Sequence, residues 1–83
     1  MKIIARDNYH CQRCLLKYGI INGEKIEVHH IKSRLNYPEL MFDENNIIAI
    51  CQTCNVQLGN DDKLDFKWNP PDDTNDDGFI FNL

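Results

Sequence analysis

The cysteines of this chain stand as two pairs of identical spacing, Cys11-Gln12-Arg13-Cys14 and Cys51-Gln52-Thr53-Cys54, and no others occur. Thiolates at i and i+3 of a tight turn set both sulfurs about 2.3 Å from one tetrahedral zinc, and a second pair closes the shell. This constrains the fold strongly, because a chain of 83 residues buries a modest core and often needs a staple. The pairs predict one structural Zn²⁺ held by Cys11, Cys14, Cys51 and Cys54. With every position filled by sulfur, that zinc cannot activate water. The competing use of four cysteines is two disulfides in a secreted mini-protein. Met1-Lys2-Ile3-Ile4-Ala5-Arg6 is too short and soon too polar for a signal peptide, so reduced thiols in the cytoplasm are expected. No apolar run approaches the roughly 20 residues of a membrane span, so no membrane association is expected.

The net charge of -4 argues at first sight against a polyanionic partner, but it is unevenly placed. Residues 1–60 carry seven Lys/Arg against six Asp/Glu, +1, whereas residues 61–83 carry two Lys against seven Asp, -5. A field this weak gives little phosphate affinity, so binding would rest on local groups and metals. The expected division is a zinc-stapled domain over 1–60 and an acidic C-terminal tail over 61–83, partly packed or flexible. Asn69-Pro70-Pro71-Asp72-Asp73 and Asn75-Asp76-Asp77-Gly78 are linker-like. Phe66, Trp68, Phe79 and Phe81 are more aromatic than a solvated tail requires.

Local patterns predict a helical turn over 1–6 and a short helix from Leu15 closed by Gly19. Ile20-Ile21 reads as a short strand before the Asn22-Gly23 turn. Lys25 to His29 alternates as a half-buried strand does, with Ile26 and Val28 inward and Glu27 and His29 outward; His30 breaks the pattern. Leu40-Met41-Phe42 should anchor the following loop. Ile47-Ile48-Ala49-Ile50 is a buried-strand run leading into a helix over about Gln52 to Leu58. Leu15, Leu16, Ile31, Leu40 and Phe42 join these apolar strand residues in the expected core. The expected class is α+β.

Thirty-six residues separate the two cysteine pairs, more than a simple zinc ribbon uses, and they carry His29-His30 and Asn45-Asn46. Imidazole and amide oxygen offer a second, differently built site for a hard ion. Three stretches then stand in order: Arg6-Asp7-Asn8-Tyr9-His10-Cys11-Gln12-Arg13-Cys14, Glu27-Val28-His29-His30-Ile31, and Asn46-Ile47-Ile48-Ala49-Ile50-Cys51-Gln52-Thr53-Cys54-Asn55. Together they resemble the HNH endonuclease family, and Asn36 to Asp43 is similar to its small phage-type members. The resemblance implies a ββα-metal fold and metal-dependent, nickase-like hydrolysis of DNA phosphodiesters. It implies that His29 binds the catalytic ion, His30 is the general base, Asn46 orients that base, and Asn55 is the remaining ligand. Asn55 stands where many members carry histidine, making this an H-N-N version, and Gly59 stands where a further histidine is sometimes found.

A mixed nitrogen–oxygen shell suits Mg²⁺ or Mn²⁺, while imidazole also admits Ni²⁺ or Zn²⁺. Lys32 and Arg34 are candidates for holding the phosphate or are solvated loop cations, as are Arg6 and Arg13. Asn45 competes with Asn46 and could merely turn the chain; spacing favours Asn46. His10 matches no motif position. The resemblance further implies phage genome processing or packaging in a bacterial host, beside a terminase-like partner. The tail either is solvated, docks a partner or shields the DNA-binding face. The alternative function is a non-catalytic zinc module that binds nucleic acid or protein on the same scaffold.

Overall fold

The computed structural model describes residues 2–70. At its centre is a two-stranded antiparallel ribbon of β1 (Ile26–His30) and β2 (Ile47–Cys51), with Val28 opposite Ala49 and His29 opposite Ile48. Three short helices surround it: α1 (Lys2–Arg6), α2 (Gln12–Tyr18) and α3 (Gln52–Leu58). Single 3-10 turns at Pro38–Leu40 and Glu44–Asn46 punctuate the connection between the strands. The fold is a small α+β domain in which β1, β2 and α3 follow one another as a ββα unit. Among the described residues, no helix is long and apolar enough to cross a membrane.

All five residues of β2 are buried, because α1 and α2 pack on this strand as well as α3. Ile48 and Ile50 are fully enclosed and share the core with Cys11, Cys51, Cys54 and Leu58. Enclosing each isoleucine contributes about 1.5–3 kcal/mol. Three of the four cysteines are thus part of the core, and Cys14 packs against it. Helices of five and seven residues would not persist alone, so their ends are fastened. Cys11 Sγ accepts from the Cys14 N–H at the start of α2, and Gly19 ends it at φ 68°, a left-handed conformation that suits glycine.

Arg6 and Asp7 hold α1 to the ribbon. The guanidinium donates to the Glu44 and Ile47 carbonyls, each at 2.8 Å, and pairs with Asp7 at 2.9 Å. Asp7 in turn accepts the Ala49 N–H at 2.9 Å, occupying a donor on the free edge of β2. A covered edge resists pairing with another chain.

Several sequence expectations are corrected. Ile20 and Ile21 form no strand and are mostly exposed; the chain here is tied down by the Ile20 N–H, which donates to the Cys14 carbonyl at 2.9 Å, and by the Asn22 carbonyl, which accepts the Cys11 N–H at 2.8 Å. Leu16 and Phe42 lie on the surface, Phe42 at 84% exposure, since the loop that carries Phe42 is anchored through Asn46 instead. His30 lies within β1. His29 is the buried residue of that strand, while Ile26 and Val28 are half-buried, because α3 covers the side that alternation assigned to solvent. Leu64, Phe66 and Trp68 pack against the core, so the chain from 61 to 70 lies back on the domain. Phe79, Phe81 and the linker-like stretch beyond Pro70 lie outside the described residues.

Candidate functional site

Two sites emerge, one of sulfur and one of nitrogen and oxygen. The four cysteine sulfurs all lie within 4.8 Å of one another. Cys14 Sγ is 3.9 Å from Cys51 Sγ and 3.8 Å from Cys54 Sγ. A zinc tetrahedron with bonds of about 2.3 Å has edges of about 3.8 Å, so the cluster is fit to bind one structural zinc. The cysteines are free, and these separations are far beyond the roughly 2 Å of a disulfide. The disulfide alternative falls. The knuckle between Cys11 and Cys14 comes from the first turn of α2, and that between Cys51 and Cys54 from the step between β2 and α3.

The second site is a cleft where the ribbon ends. Val28, His29, His30, Ser33, Arg34 and Asn55 line it. Neighbouring strand residues point to opposite sides, yet both histidines reach this cleft because β1 stops at His30 and the cavity wraps around its end. On α3, Asn55 follows the knuckle cysteine directly, and its Oδ1 lies 2.9 Å from His29 Nδ1. Its Nδ2 donates to Glu27 Oε1 at 2.7 Å. A carboxylate only accepts, so Glu27 fixes which end of the amide faces the imidazole. The spacing of 2.9 Å is a hydrogen bond for a protonated Nδ1. It is also the spacing of two adjacent ligands of an octahedral ion with bonds of about 2.1 Å. Burial, and then the nearby His30, lower the pKa of His29 against the opposing pull of Asn55, favouring the neutral ring that can ligate.

His30 Nε2 lies 2.9 Å from the Met41 carbonyl. That oxygen can only accept, so Nε2 carries the proton in the neutral ring and Nδ1 keeps its lone pair. Asn46 is buried and makes three loop contacts: it accepts the Lys32 N–H at 2.8 Å and donates to the Lys32 and Leu40 carbonyls at 3.0 and 3.3 Å. His30 therefore donates its hydrogen bond to the Met41 carbonyl, and Asn46 braces the loop that carries this acceptor. Asn45 is exposed beside it, its N–H accepted by Asp43.

The cations separate clearly. Arg34 lines the cleft, whereas Lys32 Nζ lies over the Tyr37 ring at 5.0 Å from its centre. Arg6 and Arg13 are engaged inside the protein and are not loop cations. His10 belongs to neither site. Three contributors escaped sequence reasoning. Glu27 sits two residues before His29 on the same side of the strand, which was the available signal. Met41 acts through its backbone and gives no signal. Asp62 accepts the Ser33 N–H at 2.8 Å and Asn36 Nδ2 at 3.0 Å, gripping the cleft's rim from a segment whose acidity alone read as tail.

The family model described as HNH endonuclease matches residues 11–61. No curated protein and no solved structure matches the chain. The matched stretch contains both cysteine pairs, both histidines, Asn46 and Asn55, and it spans more than half of the sequence. With the ββα unit and sulfur cluster in place, this chain belongs to the HNH endonuclease family, whose function is in general of the nuclease type.

Proposed function

We propose that this protein is a metal-dependent DNA endonuclease that hydrolyses phosphodiester bonds with His30 as general base. The observation that carries this reading is the convergence of His29, His30 and Asn55 on one cleft, apart from the sulfur cluster. His30 takes a proton from water at Nδ1, because the Met41 carbonyl holds the ring's other nitrogen protonated. Imidazole is the side chain best suited to accept and release a proton near neutral pH. Asn46 acts at one remove, by holding the loop from Lys32 to Met41 in place. His29 and Asn55 would hold a divalent ion, whose chemistry is to neutralise charge developing on the reacting phosphate. Glu27 keeps the Asn55 oxygen turned towards that ion's position. Arg34 contacts the phosphate; Lys32, stacked on Tyr37, serves the fold of the loop. Cleavage of one strand of duplex DNA in phage genome processing, beside a terminase-like protein, is the setting that the family resemblance suggests.

A plasmid-nicking assay with Mg²⁺ and Mn²⁺ tests the proposal. His30→Ala is expected to lower the rate at least about a hundredfold, the usual contribution of a positioned base, with the circular dichroism spectrum unchanged. Equal nicking by the folded variant, or none by the native chain, would favour a non-catalytic zinc module that binds nucleic acid or protein.

A further inference from the structure

Arg13 lies inside the first cysteine knuckle and is 6% exposed, unusual for a cation in a domain this small. All three nitrogens of its fork are engaged. Nη1 donates to Cys54 Sγ at 3.4 Å and to Gln57 Oε1 at 2.6 Å. Nε and Nη2 form a two-pronged pair with Asp65 at 3.0 and 2.8 Å. Lys17 Nζ reaches the same carboxylate at 2.7 Å.

The bond to sulfur gives this arrangement a purpose beyond packing. Zinc with four thiolates carries two net negative charges, and burying them without a compensating cation is unfavourable. Cys54, at 4% exposure, is nearly closed to compensation by water. A planar guanidinium can donate to a sulfur while its other edge pairs two-pronged with a carboxylate, a fixed geometry that an ammonium does not offer. Asp65 lies in the chain that returns over the domain after α3, between Leu64 and Phe66, which pack against the core.

We propose that Arg13 is the outer-sphere partner of the zinc thiolates, and that through Asp65 it fastens the returning 61–68 segment to the metal centre. Zinc retention and docking of that segment are one coupled event. The proposal stands whether or not the chain cleaves DNA.

The test uses the full chain loaded with Co²⁺ or Zn²⁺, comparing native protein with Arg13→Gln and Asp65→Asn. A hydrogen bond from a cation lowers the energy of the sulfur lone pairs. Its loss therefore moves the sulfur-to-cobalt charge-transfer band to longer wavelength. Zinc transfer to a chromophoric chelator is expected to be about tenfold faster in Arg13→Gln, as for other outer-sphere partners of metal ligands. Asp65→Asn should shift both readouts the same way by less, and its partly exposed position guards against wholesale misfolding. An unmoved band in both variants overturns the proposal. So does faster zinc loss with an unmoved band, which would make Arg13 a packing residue only.

Discussion

At the scale of single residues, the least common choice in the proposed site is Asn55. An amide oxygen is a harder and more weakly held ligand than imidazole, so the pair His29 and Asn55 should favour Mg²⁺ or Mn²⁺. Asn55→His is expected to shift activity towards Ni²⁺ or Zn²⁺ relative to Mg²⁺, read as the ratio of nicking rates across a series of ions. A native enzyme already far faster with Ni²⁺ or Zn²⁺ would contradict the reasoning. Glu27 belongs to the same argument, because without its carboxylate the Asn55 amide is free to turn its nitrogen inwards.

At the scale of elements, the connection between β1 and β2 does more than join the strands. It carries Ser33 and Arg34 along the cleft and brings the Met41 carbonyl to His30. Two short turns and few apolar contacts would not hold so polar a segment. Asn46 supplies the missing order through its bonds to Lys32 and Leu40. Asn46→Ala would leave one donor and two acceptors without their protein partner. The expected loss is on the order of 2–3 kcal/mol, measured by denaturant unfolding at fixed free zinc. Asn45→Ala at the exposed neighbouring position should change stability little.

At the scale of the whole molecule, the domain closes around a cysteine cluster fit for zinc and through the Arg13–Asp65 ion pair. A strong chelator is expected to abolish the cooperative thermal transition, and added Zn²⁺ to restore it, because structural zinc contributes on the order of 10 kcal/mol in small domains. A melting curve unchanged by chelation would refute that dependence. The Asp65 contact gives a separate signature in pH. Hydrogen bonds from Arg13 and then Lys17 hold the Asp65 carboxyl well below the usual carboxylate range. Its contribution is therefore fully present above the unfolded value of about 4 and is lost as pH falls towards the folded one. Asp65→Asn should melt lower than the native chain at pH 7, and the gap should close progressively below about pH 4. A gap independent of pH would show that the pair's charge is not what stabilises.

The sulfur ligands, the histidine pair, both asparagines and the buried run of β2 were legible in the sequence, because ligand chemistry and strand pattern are local properties. The sequence could not assign the four basic candidates, Arg6, Arg13, Lys32 and Arg34. Arg6 meets Glu44 across 38 positions and Arg13 meets Asp65 across 52, so only packing decides that these cations serve the interior. The same holds for His30. Its identity as a titratable ring is written in the chain, but the nitrogen that bears the proton is set by the Met41 carbonyl, which no pattern of side chains encodes. Residue type and spacing thus determine which chemistry is possible, while tertiary structure decides which groups meet, since buried polar atoms must find partners wherever folding brings them.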